Sequence, residues 1–289
     1  MGSNYKTGSQ RGFTIIEMVI TIVVGGIIAS VIAQFITRPM EGYIALSRRA
    51  ELVDIAETAL SSITRDVRQA LPNSVRISCA GQCIEFLLTI DGGRYRAKPP
   101  GDHLKFSGGD SSFDTLGPLL QRTNIINNIV STPANCFTST RYCISVFNTG
   151  LLNANAYQKD NIVSITALTT AGDGISNNIT FDNSTLLPNN NFPFESPQQR
   201  FYIVSTPVSY ICASGVITRY HNYSVLIDQP ESAPAGASSG MLANKVSSCQ
   251  FEYTAGTTTR SGLVIAGITI SDSGESITLL EQAHIFNQP

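Results

Sequence analysis

The 289-residue chain has no tryptophan, three histidines and only 14% charged residues, where an average soluble domain carries roughly 25%. Serine, threonine, asparagine and glycine fill the gap. That composition argues for a strand- and loop-rich exported surface and against a cytosolic helical protein. A net charge of −2 leaves no overall footprint for nucleic acid. His103, His221 and His284 fall in different expected elements, with no cysteine, serine or carboxylate at triad or metal-helix spacing. Phosphate-loop, dinucleotide and His-Glu-x-x-His patterns are missing as well, so no enzyme, catalytic residue, metal site or cofactor is expected. Calcium alone has a foothold, in the Asp/Asn/Gly-rich stretches Asp173–Asn178 and Asp182–Asn191, and neither carries an EF-hand pattern. Tyr202, Tyr210, Tyr220, Tyr223 and Tyr253 could form aromatic platforms for sugars. Half-buried sheet positions are the simpler expectation for them.

What the chain does have is one long apolar run. From Phe13 to Ile36 there are 24 residues with a single charge, Glu17. At the helical rise this spans roughly 36 Å, enough to cross a bilayer core with some tilt. The hydrophilic leader before it ends in Arg11-Gly12. A secretory signal has a shorter core and is cut behind it; here the expected cut lies in front. Lys6 and Arg11 with no acid among the first 16 residues place the leader in the cytoplasm, and the remainder outside the inner membrane.

Gly12-Phe13-Thr14-Ile15-Ile16-Glu17 ahead of this run resembles the class III signal of type IV pilins and pseudopilins. The resemblance implies cleavage between Gly12 and Phe13 by a prepilin peptidase and methylation of the new amine of Phe13. It also implies that Glu17, fifth in the processed chain, meets the terminal amine of a neighbouring subunit and sets register in a filament. The physics agrees, because a carboxylate at bilayer depth costs about 2.5–3.5 kcal/mol and needs a partner. An ordinary signal anchor, with Glu17 snorkelling to the headgroups, is the plain alternative.

Helical periodicity continues through Leu46, Ala50, Val53, Ala56, Leu60, Ile63, Val67 and Ala70. Leu71-Pro72-Asn73 ends it, and Pro39 with Gly42 predicts a kink or loosened turn. The stripe is expected to pack on the subunit's own sheet; a coiled coil is the alternative. From Val75 the pattern is β. Strands are expected at Ser74–Ile77, Ile84–Ile90, Arg94–Ala97, Ile144–Phe147, Ile162–Leu168, Asn178–Phe181, Arg200–Ser205, Val208–Cys212 and Val216–Tyr220. Asp91-Gly92 reads as a hairpin turn, and Pro188–Asn191 as a break. Pro230–Gly240 reads as a flexible loop, with a closing meander over Val246–Thr254, Gly262–Ser271 and Ser276–Phe286.

These elements predict an α+β fold: a long N-terminal, partly transmembrane helix on antiparallel sheet, with an enlarged loop- and strand-rich C-terminal domain. The expected divisions are a leader (1–12), a membrane segment (13–36), an amphipathic helix (37–71) and a periplasmic or extracellular β-rich domain (72–289). Cys79, Cys83, Cys136, Cys143, Cys212 and Cys249 all follow the membrane segment, on the oxidising side. Fifteen connectivities are open. Nearest-neighbour pairing, Cys79 with Cys83, Cys136 with Cys143 and Cys212 with Cys249, is the simplest. A zinc site at Cys79-x3-Cys83 is the rival, with no histidine nearby to complete it.

Arg65–Arg76 at the helix end is similar to the larger J- and W-type minor pilins and pseudopilins. Leu242–Tyr253, Arg260–Val264 and Gly274–Leu280 add a similarity to minor pilins of the mannose-sensitive haemagglutinin (MSHA) pilus. That resemblance implies an inner-membrane single-pass subunit with a periplasmic domain, later extracted into an extracellular pilus concerned with cell adhesion. Its partners would be a prepilin peptidase, other major and minor pilins, the inner-membrane assembly platform and the membrane itself, with no nucleic acid. The alternatives are a J-type pseudopilin of a type II secretion system, and a signal-anchored periplasmic lectin or enzyme. The last would need a polar constellation within about 99–191.

Overall fold

The computed structural model describes residues 12–133, 135–186, 190–256 and 260–285. Most of the expected leader, residues 1–11, lies outside them, as do Leu187–Asn189, which fall in the calcium-like stretch Asp182–Asn191 and overlap the expected Pro188–Asn191 break, and Phe286 at the end of the expected meander. The chain forms two compact units, Met1–Glu51 and Leu52–Pro289.

Helix α1 runs over Ile15–Arg68 and is unbroken through Pro39 and Gly42. Its stretch Ile15–Ile36 is long and apolar enough to cross a membrane, and none of it is buried. The stripe read from the sequence divides. Leu46 and Ala50 are exposed, whereas Leu52, Ala56, Ala59, Leu60, Ile63, Val67 and Ala70 are buried. Packing on the subunit's own sheets therefore begins at Leu52, where the chain supplies strands to pack against. The buried side chains of Leu52, Leu60, Ile63 and Val67 each contribute about 1.5–3 kcal/mol.

The second unit is all antiparallel. Its strands are β1 (Arg76–Ser78), β2 (Cys83–Arg94), β3 (Ser112–Asp114), β4 (Cys143–Val146), β5 (Ile162–Thr170) and β6 (Asn177–Phe181). They continue with β7 (Arg200–Ala213), β8 (Val216–His221), β9 (Ser238–Ala243), β10 (Val246–Thr254), β11 (Gly262–Asp272) and β12 (Glu275–Ile285). One short helix, α2 (Arg122–Ser131), joins them. Nine strands form one sheet in the order β1-β2-β7-β4-β5-β6-β3, with β8 and β9 continuing from β7; β10-β11-β12 form a second sheet. One core holds the buried stripe of α1 together with Ile84, Phe86, Val208 and Tyr210 of the large sheet and Phe251, Ala266 and Ile268 of the small one. A second core, around Phe113, Ile144, Ile165, Phe181 and Phe201, fills the far half of the large sheet under α2. The architecture is α+β: an apolar N-terminal helix followed by an antiparallel, strand-rich domain.

Several local expectations are corrected. Asp91-Gly92 is no hairpin turn, and Arg94–Ala97 is no separate strand. Instead β2 continues straight through, pairing Asp91 with Ile203, Gly92 with Tyr202 and Arg94 with Arg200. Gly92 is needed for close approach, since a Cβ there would stand 2.9 Å from the Phe201 carbonyl oxygen. The expected strands Arg200–Ser205 and Val208–Cys212 are one strand, β7, passing through Pro207. On one side β7 pairs β4 over Phe201–Val204 and β8 over Ser209–Ala213. Pro207 falls in the gap between them, where a missing N–H removes no ladder bond on that side. The expected loop Pro230–Gly240 gives up its last three residues to β9, and the Ser74–Ile77 strand starts two residues later, as β1. Neither α2 nor β3 was expected; the Gln121 side chain makes no cap bond at the start of α2, and Ile125 is its one buried residue.

Candidate functional site

The first candidate site is the start of the apolar helix. Gly12, Phe13 and Thr14 are exposed and precede α1. Thr14 caps the helix: the Glu17 N–H donates to the Thr14 carbonyl at 3.1 Å and to Oγ1 at 3.4 Å, and the Met18 N–H reaches the same carbonyl at 3.2 Å. Thr14-x-x-Glu17 has capping-box spacing, and the Glu17 carboxylate in the first turn complements the helix dipole. Glu17 is exposed. A Cβ on Gly12 would meet nothing within 4 Å, and its φ is not left-handed. Among the described residues, no packing contact requires glycine there.

The second assembly ties the end of α1 to the sheets. Asp66 accepts from the Tyr210 hydroxyl at 2.8 Å and from Arg219 Nε at 2.8 Å. Thr64 Oγ1 donates to Glu281 on β12 at 3.1 Å. Nearby, Glu85 is fully buried, takes Arg76 Nε at 2.6 Å and the Tyr223 hydroxyl at 3.0 Å, and Tyr223 in turn bonds Ser209. Arg76 also stacks over the Tyr157 ring and donates to the Leu226 carbonyl, pinning that loop. Burial pushes the Glu85 carboxyl up in spite of Arg76. Burial, reinforced by Glu85, pushes the Tyr223 hydroxyl well above its ordinary range. Asp66 and Arg76 stand in the stretch Arg65–Arg76 singled out in the sequence; Glu85 carried no signal, being one acid in an apolar strand.

The six cysteines form three bonds, Cys79–Cys83, Cys136–Cys143 and Cys212–Cys249. Only the last joins the two sheets, β7 to β10.

The other sequence candidates do not converge. His103 precedes β3, His221 ends β8 and His284 lies on β12. His221 is held below its usual range by burial and by Arg219. Among the described residues no group of three or more His, Cys, Asp or Glu side chains could hold a metal. In the first calcium-like stretch Asp173 closes its own turn, accepting the N–H groups of Ile175 and Ser176 at 2.9 and 2.8 Å. In the second, Asp182 accepts the Ser184 N–H at 3.0 Å. Of the tyrosines, Tyr210 and Tyr223 are buried in the networks above, while Tyr202, Tyr220 and Tyr253 are half-buried. The 99–191 region does gather polar groups. Asp114 accepts from the Asp102 N–H and from Asn178 Nδ2, both at 2.9 Å, and Ser112 Oγ donates to Asp102 at 2.6 Å. These bonds hold a loop onto β3 and β6, and Gly101 (φ +92°) leaves room for Asp114.

The fold is thus a pilin-like α+β architecture, with the N-terminal helix as its most distinctive element. Residues 8–33 match the family model of the prokaryotic N-terminal methylation motif. The match covers Gly12, Phe13 and Glu17 and marks a type IV pilin-like N-terminus, of the kind processed by a prepilin peptidase and associated with membrane. No curated protein and no solved structure matches the chain.

Proposed function

We infer that the chain is a minor type IV pilin of the MSHA kind, similar to the MSHA biogenesis protein MshO, with a role in assembly rather than catalysis. A prepilin peptidase cuts between Gly12 and Phe13 and methylates the Phe13 amine. Before assembly, Ile15–Ile36 holds the subunit in the inner membrane with its β-rich domain in the periplasm. Extraction into a pilus replaces lipid by helix–helix packing, and Glu17 meets the terminal amine of a neighbour. The large domain after α1 suits a subunit at the tip or in the complex that starts the pilus, alongside other major and minor pilins and the inner-membrane assembly platform. No cofactor takes part.

The observation that carries this reading is the methylation-motif match on a helix whose first 22 residues are wholly unburied. Gly12 supports it, because among the described residues its identity answers no demand of packing, and recognition from outside accounts for it. Replacing Gly12 with a bulky residue is expected to leave full-length precursor in the membrane, detected by its larger mass. Glu17→Ala is expected to be processed normally but recovered in sheared pili at a small fraction of the wild-type level. Pili carrying Glu17→Ala subunits at the wild-type level would remove the register role.

A further inference from the structure

Between β1 and β2 the chain reverses inside a short ring closed by the Cys79–Cys83 bond, at a sequence separation of 4. Cys79, Ala80 and Gly81 follow one another in the left-handed region, at φ +52°, +53° and +93°. Glycine adopts that backbone freely. Cys79 and Ala80 do not, because a Cβ there crowds the following carbonyl oxygen. Such residues persist only where the surroundings over-determine them. Here Ser78 pairs with Cys83 at the end of the β1–β2 ladder, and the covalent link ties Cys79 across the same turn. Opening the bond lets Cys79 and Ala80 return to right-handed backbone, so the strain disfavours the oxidised form.

The three disulfides differ in reach as well. Cys79 is half-buried beside the exposed Ala80, and Cys83 is buried. Cys136 and Cys143 are both buried. Cys212 lines an open cleft of about 150 Å³ together with Cys249, but both stand in strands, and neither has a left-handed backbone. Loop closure favours the oxidised form least where the loop is shortest, and the separations are 4, 7 and 37. Strained or exposed disulfides are the labile ones. Cys79–Cys83 alone is reachable, strained and short.

We propose that Cys79–Cys83 is a thiol-exchange site, opened by an exported protein dithiol while the other two bonds stay closed. A thiolate of the dithiol attacks Cys79 Sγ, the reachable sulfur. The bond to Cys83 breaks, and Cys83 leaves as a thiolate that takes a proton. The second thiolate of the dithiol then attacks its own partner sulfur and releases Cys79, which takes the other proton. The dithiol ends as a disulfide, having given up an electron pair, and Cys79 and Cys83 end as thiols. The turn lies on the seam between the sheets. The Gln82 carbonyl accepts the Cys212 N–H at 3.0 Å, and Gly81 lies so close to the Gln250 side chain of β10 that a Cβ would not fit. Opening the ring therefore loosens this seam and leaves Cys212–Cys249 as its tether. The site does not depend on filament assembly, so it stands or falls apart from the pilin reading.

The test equilibrates the full chain in detergent with mixtures of reduced and oxidised dithiothreitol. Acid quenching, alkylation and peptide mass spectrometry then show which cysteines have opened. Cys79 and Cys83 are expected to take the label at a reduced-to-oxidised ratio about tenfold or more below that which opens either other pair. Ala80→Gly, at an exposed position, removes one left-handed Cβ without touching a core. It should raise the ratio needed to open Cys79–Cys83 about fivefold or more and leave the other pairs where they were. In a glutathione buffer the mixed disulfide should form on Cys79. The proposal is overturned by Cys79–Cys83 opening with or after either other pair, or by an Ala80→Gly midpoint that does not move. Glutathione on Cys83 in place of Cys79 would overturn it as well.

Discussion

At the residue scale, the polar groups are spent on holding turns and tying α1 down, and their titration reports this. Hydrogen bonds from the Ser176 side chain, then from the Ile175 and Ser176 N–H groups, hold the Asp173 carboxyl down at about 2. With the folded value depressed, the turn keeps its contribution at every pH above the unfolded carboxyl range, near 4. It loses that contribution as pH falls through about 2. A carboxyl-carbon NMR titration should find the Asp173 midpoint there, and Ser176→Ala should move it up. An unmoved midpoint would mean that the Ser176 side chain does not hold the charge. Arg141 shows the converse. It is a buried cation, and it donates to the carbonyls of Ile129, Thr132 and Pro133 at the end of α2. Carbonyls at a helix C-terminus suit a cation.

At the element scale, α1 is the clearest case of one periodic pattern serving two surroundings. Ile63→Ala, on the fully buried stretch, is expected to cost about 2–5 kcal/mol. Leu46→Ala, on the same stripe but exposed, should stay within about 0.5 kcal/mol. Urea unfolding of the two variants decides it; equal losses would mean that the stripe is buried along its whole length. This division was not legible in the sequence, because periodicity shows that a face is apolar and not where its partner begins. The meander of β10, β11 and β12 was legible, because its three strand-like runs follow one another closely in sequence. The β2–β7 pair was misread at two points, since Asp91-Gly92-Gly93 and Pro207 are ordinary turn residues. Here they serve a close strand approach and a gap in pairing instead. The N-terminal motif was fully legible, because it is local. The Glu85 network was not, because it depends on strand neighbours far apart in sequence.

At the scale of the whole molecule, two sheets and a helix share one core, and Cys212–Cys249 is the covalent link between the sheets. Closing a loop with a sequence separation of 37 constrains the unfolded chain by about 4 kcal/mol in the chain-entropy account, against about 2 kcal/mol for Cys79–Cys83. Replacing both Cys212 and Cys249 by alanine should therefore lower the unfolding free energy about twice as much as the same change at Cys79 and Cys83. An equal loss would count against the sheet-linking role. At the other end of the chain, processing is tested by the intact mass and N-terminal sequence of the protein from native membranes with its own peptidase present. A chain that starts at Phe13 with one additional methyl group on its amine is expected. An unprocessed chain, or one cut after Ile36, would contradict the pilin reading.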